Sequence, residues 1–152
     1  MMSRVFPLSL RLAVVLALAA ALAPVAVGAE TVVEARQRLM VSMIKATKVP
    51  RAMVAGETAF DVGAVDEAVK QVLEATALMP KLFPDGSAGG PSAALPAIFQ
   101  NRADFEGRLL DLEKASVQLA FAARQGKDEM AYAFHEYEAV CEGCHAKYRR
   151  PD

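Results

Sequence analysis

Residues 127–150 read KDEMAYAFHEYEAVCEGCHAKYRR. Met130, Phe134, Tyr137, Cys141, Cys144/His145 and Tyr148 recur in it at intervals of three and four, which sets them along one face of a helix. Gly126 should end the preceding helix, and Asp128 is the expected cap of this one. Upstream, three more stripes have the same period. Thr31 with Glu34 forms a capping-box signature, opening a helix with Val33, Arg36/Gln37, Met40, Met43/Ile44 and Thr47 on one face. Pro50 is expected to bend or end it. Asp61 can cap a second helix, carrying Val65, Val69, Val72, Thr76 and Met79 and stopping at Pro80. Residues 84–96, PDGSAGGPSAALP, form a loop. A third helix then shows Ile98, Phe105, Leu109, Leu112, Ser116, Leu119 and Ala123. No stretch after residue 29 sustains the two-residue alternation of a sheet. Four amphipathic helices on mostly short connections predict an all-α, antiparallel four-helix bundle.

The whole chain has 152 residues, 54% of them hydrophobic, with 17 Lys and Arg against 18 Asp and Glu. That balance excludes the basic profile of a nucleic-acid binder and the polar excess of a disordered chain. Arg4 and Arg11 stand at the start of an apolar run from Leu12 to Val27 that ends in Val27-Gly28-Ala29, the pattern of a secretory signal peptide over residues 1–29. The competing reading is an uncleaved anchor, but the run is shorter than the ~20 residues a bilayer demands and contains Pro24. Cleavage after Ala29 leaves residues 30–152 as one domain with a net charge of −3. The expected location is the periplasm, with no membrane association after cleavage.

Cys141-Glu142-Gly143-Cys144-His145 is C-x-x-C-H, the attachment signature of haem c. On a helix the two thiols and the imidazole project together, so the thiols can form thioethers on one porphyrin edge while His145 reaches the iron. Gly143 is expected to clear space for the porphyrin. Three other chemistries fit less well. A Cys141–Cys144 disulfide closes a very short loop and gains little. A thioredoxin-like motif belongs beside a βαβ unit, and a zinc site needs a fourth ligand, for which only His135 and carboxylates remain.

No methionine follows His145, so a methionine sixth ligand must come from upstream: Met40, Met43, Met53, Met79 or Met130. Met130 lies 15 residues before His145 on the same helix, about 22 Å away at the helical rise, and drops out. In an up-down bundle the start of the first helix shares an end with the motif, which puts Met40 first and Met43 second. Met79 continues a Val stripe and reads as core. An open sixth position is the rival, because methionine fills cores more often than it binds metal. Arg36 and Gln37 lie one turn before Met40 on a face that should be apolar. An inward-facing cation there needs a partner, and a haem propionate supplies one. His135 is out of phase with His145 and reads as a surface histidine.

The C-terminal CEGCHAKYRR, together with ARQRLM (Ala35–Met40), ALMPKLFP (Ala77–Pro84) and IFQNRADF (Ile98–Phe105), resembles the class II cytochromes c, the cytochrome c' and c-556 type proteins. The resemblance spans essentially all of residues 30–152. It implies a four-helix bundle carrying one covalently bound haem c, with Cys141 and Cys144 as thioether anchors and His145 on the iron. It sets Met40 at the distal position, Arg36 and Gln37 along the haem edge, and Arg149 as the basic residue after the haem histidine. A methionine there implies a six-coordinate His/Met one-electron carrier serving redox partner proteins. The alternative is a five-coordinate cytochrome c' type that binds nitric oxide or carbon monoxide. Family members often pair through their first two helices, so a homodimer is possible. Phe99 departs from the tryptophan common in the family, and Pro50 interrupts a helix that is usually continuous. No serine–histidine–aspartate or paired-carboxylate arrangement points to an enzyme.

Overall fold

A computed structural model describes residues 30–151, so the proposed signal segment 1–29 lies outside the described residues. Five α-helices follow one another: α1 (Val32–Val54), α2 (Val62–Leu78), α3 (Ala97–Gln100), α4 (Arg102–Ala123) and α5 (Lys127–Tyr148). A turn of 3₁₀ helix (Met79–Leu82) extends α2. The four long helices form the bundle, and no strand occurs among the described residues. Thr47 meets Tyr137 (hydroxyls 3.2 Å apart) and Arg51 reaches the Phe134 ring, so α1 and α5 run antiparallel.

The helix starts follow local chemistry. Thr31 and Glu34 make the reciprocal capping box, with Glu34 N–H donating to Thr31 Oγ1 at 3.2 Å and Thr31 N–H donating to the Glu34 carboxylate at 2.8 Å. Asp61 Oδ1 accepts from Ala64 N–H and caps α2. Three boundaries differ from the sequence expectation. α1 does not stop at Pro50 but continues to Val54, with Pro50 buried inside it. The proline lacks the N–H that would reach the Ala46 carbonyl and its ring crowds that turn, a cost that burial of the ring offsets.

The third stripe is split at Asn101, whose φ of −131° and ψ of 49° leave the helical region. Its side-chain amide and its backbone N–H both donate to the Ala97 carbonyl, the local bonding by which asparagine closes a turn. Asp128 does not cap α5. Gly126 holds that position at φ 153°, ψ 175°, a conformation open to glycine alone, and Asp128 joins Glu129 in the first turn, where carboxylates favour the helix dipole.

The core runs through the bundle from Val65 and Met130 to Phe134, all essentially inaccessible. Phe83, Phe105 and Tyr148 form an edge-on chain with centroid separations of 4.9 and 5.4 Å. Around the bundle, α1 and α5 are the least closely packed neighbours. The loop of residues 84–96 crosses to the end of α5: Leu95 N–H donates to the Tyr148 carbonyl at 2.9 Å and Arg150 N–H to the Ala93 carbonyl at 2.8 Å. The loop is thus a strap fastened across the same end of the bundle that carries the C-x-x-C-H motif.

Candidate functional site

Between α1 and α5 lies a cleft of about 740 Å³, within the range of cofactor pockets. Cys141, Cys144 and His145 line its α5 wall; Arg36, Gln37, Met40 and Met43 line the facing wall on α1. Met79, Phe83, Ile98, Phe105 and Leu109 close its base. The helical spacing of the motif and the sparse α1–α5 packing therefore meet at one place.

Both cysteines are free and partly buried. Burial pushes both thiols up; Tyr137, one turn before Cys141, and the Arg108 charge beside Cys144 each oppose part of that effect. His145 is pushed down, chiefly by burial and then by the charge of Arg149, a shift that favours the neutral imidazole. A neutral imidazole is the form that binds a metal. Among the described residues no group of three or more His, Cys, Asp or Glu side chains converges as a metal cluster, so the zinc alternative has no ligand set.

Arg36 is 4% exposed. Its Nη2 donates to the Ser87 carbonyl at 2.8 Å, its Nε lies 3.4 Å from the Val32 carbonyl, and the guanidinium sits 4.4 Å from the centre of the Phe83 ring. Nη1 is buried without a hydrogen-bond partner. A guanidinium stays charged in proteins, so this orphaned donor is a place for an acidic group. Gln37 is exposed at the rim, where its amide reaches the Pro91 carbonyl at 3.4 Å. The two free thiols, a histidine shifted toward its neutral form, an apolar cleft and an unsatisfied buried cation together fit haem c.

Met40 is half-buried and lines the cleft, as does the buried Met43. Met79 lies in its base, while Met53 and Met130 are buried in the core away from it. His135 is exposed, 3.8 Å from Glu138, and does not line the cleft.

Gly143 does not belong to the lining either: a Cβ there would face Arg108 Nη1 at 3.4 Å. That is ordinary contact with the movable end of an arginine from α4. Arg108 itself carried no signal in the sequence, since a single arginine on a helix reads as a solvated side chain. It is fixed by Asp104, whose Oδ2 accepts from Arg108 Nε (3.0 Å), Lys147 Nζ (3.0 Å) and the Tyr148 hydroxyl (2.5 Å). Tyr137, already on the apolar stripe, adds a hydroxyl at the cleft. Because Thr47 Oγ1 donates to the Met43 carbonyl, the Tyr137 O–H donates to Thr47.

A family model described as Cytochrome C' matches residues 31–149. Cytochrome c-554 of Cereibacter sphaeroides is 33% identical, the match covering 81% of this chain and 96% of that one. Cytochrome c' from Rhodopseudomonas palustris superposes with a TM-score of 0.76 at 26% identity, over 82% of this chain and 99% of that one. A variant of cytochrome c prime from Alcaligenes xylosoxidans, solved as its nitric oxide complex, superposes with a TM-score of 0.70 at 26% identity, over 79% and 94%. With the match running from the capping box of α1 to the residue after α5, this chain belongs to the cytochrome c' family, four-helix-bundle proteins that carry a covalently attached haem c.

Proposed function

We propose that the protein is a periplasmic haem c protein whose iron is held on one side by His145 and left open on the other to small uncharged gases such as nitric oxide and carbon monoxide. When bound, the haem supplies an iron that takes up a diatomic ligand and exchanges one electron. Cys141 and Cys144 anchor it as thioethers, and His145 presents its neutral imidazole. Arg36 Nη1 and the Gln37 amide meet its acidic edge, and the apolar walls exclude water. Met40 packs over the distal side as a flexible apolar side chain. The solved relative with bound nitric oxide carries this reading, and the apolar Met40 and Met43 on the α1 wall suit an uncharged ligand.

A second reading has one specific observation in its favour: Met40 faces the motif across the cleft. A Met40 thioether on the iron makes a six-coordinate His/Met electron carrier serving redox partner proteins, with a raised potential. Electron paramagnetic resonance of the ferric protein and carbon monoxide binding to the ferrous protein separate the two. High-spin ferric iron with rapid gas binding supports the open site; low-spin iron that turns high-spin in Met40→Ala overturns it.

A further inference from the structure

The cleft differs in charge from the rest of the protein. Five basic side chains line it (Arg36, Lys48, Arg51, Arg108 and Arg149) against two acidic ones, Glu138 and Glu142. The remainder of residues 30–152 holds ten basic and sixteen acidic side chains. Lys45, Lys147 and Arg150, all exposed, stand next in sequence to the lining residues Ile44, Tyr148 and Arg149. Part of this charge is met locally. Arg51 pairs with Glu138 at 2.5 Å, and Asp104 takes both Arg108 and Lys147 at 3.0 Å. Lys45 and Lys48 have no ion-pair partner among the described residues. Val41 and Ile44 stand on the α1 lip, 49% and 58% exposed.

We propose that this face docks the acidic surface of a soluble redox protein that exchanges an electron with the haem. The proposal rests on the reading that the cleft holds haem c. The two haem carboxylates reduce the local positive charge without reversing it, while the opposite faces of the bundle stay acidic. An acidic partner is therefore drawn to the cleft and repelled elsewhere, which sets orientation as well as on-rate. An apolar lip bounded by charge is the layout of a protein interface, with a dry centre and a polar rim. The net charge of −3 on its own points to the opposite kind of partner, a basic one; the distribution reverses that.

The test uses the ferrous holoprotein, its haem first quantified as the pyridine haemochrome. Ferricyanide and tris(1,10-phenanthroline)cobalt(III) are mixed with it by stopped flow over a range of salt. One electron passes to each oxidant, giving ferrocyanide or the cobalt(II) complex, with no bond made or broken. The ferricyanide rate should fall at least about fivefold from low to high salt, while the cobalt rate stays level or rises. An acidic flavodoxin in its hydroquinone form, reducing the ferric protein, should show the same decline with salt. Lys45→Glu with Arg150→Glu, both outside the cleft lining, should cut the low-salt ferricyanide rate about threefold and leave the high-salt rate and the haem spectrum unchanged. A ferricyanide rate that rises with salt, or a charge reversal without effect, overturns the proposal. Failure of the haem reading shows separately and earlier, as a missing haemochrome.

Discussion

Arg36 lies over the ring of Phe83, 4.4 Å from its centre, with one guanidinium nitrogen bound to the strap at Ser87 and another buried without a partner. The arrangement stabilises a cation from below and from one side and leaves the remaining side for an anion. Without a partner the unsatisfied nitrogen is a cost; on the proposed reading a haem carboxylate pairs with it. Arg36→Leu should therefore change the thermal stability of the haem-free chain little, yet weaken the haem-loaded protein by about 1–3 kcal/mol. Parallel thermal melts of both forms provide the check, and equal losses in the two would remove the propionate role.

Met40 lines the cleft opposite His145, and its substitution tests the open-site proposal. With the sixth position open, ferric protein is high-spin before and after Met40→Leu, and Met40→Ala speeds carbon monoxide binding by clearing the distal side. Absorption and paramagnetic resonance spectra of the three proteins read this directly.

Asp104 is a stability switch at low pH. Its hydrogen bonds from Tyr148, Arg108 and Lys147 hold its carboxyl well below the usual carboxylate range. A group depressed in the folded state adds stability above its unfolded pKa of about 4, and that contribution fades as pH falls further toward the folded value. Asp104→Ala should thus melt lower than the unaltered protein at pH 7, with the gap closing below about pH 4. A gap independent of pH would assign the effect to packing of the Tyr148 ring.

Gly143 offers a clean test of what its small size serves. Alanine in the middle of a helix is better than glycine by about 1 kcal/mol, and the added methyl meets only the movable end of Arg108. Gly143→Ala should raise stability by about 0.5–1 kcal/mol with full haem attachment. Loss of attached haem, measured as haemochrome per chain, would instead show that the porphyrin needs the space.

Much of the molecule was legible from local pattern. The capping box at Thr31, the Asp61 cap and the four stripes depend on side chains within one or two turns of each other, so their geometry is contained in the spacing. The C-x-x-C-H triplet is local in the same sense, and the inward Arg36 stood out because a cation interrupted an apolar stripe. The misread boundaries turned on finer balances. At Asn101 the backbone leaves helical φ and ψ while the side-chain amide and the backbone N–H both donate to the Ala97 carbonyl; at Gly126 the backbone takes a conformation that leaves Asp128 two residues too late to cap. The approach of Arg108 to Gly143 comes from α4, 35 residues earlier in the chain, and the spacing along α5 carries no sign of it.

By itself the sequence determined four helices, a haem-attachment motif on the last of them and a short set of methionines that can face it. Periodicity and covalent chemistry act over a few residues and need no knowledge of the rest of the chain. Only the tertiary structure decided that α1 and α5 stand apart to leave a cleft, that the strap of residues 84–96 closes onto Tyr148 and Arg149, and that basic side chains from α1, α4 and α5 gather at one face. Those outcomes depend on which helix faces pack against one another. Packing couples residues far apart in sequence, and the charge that a partner meets is set by where the side chains finish rather than by how many there are.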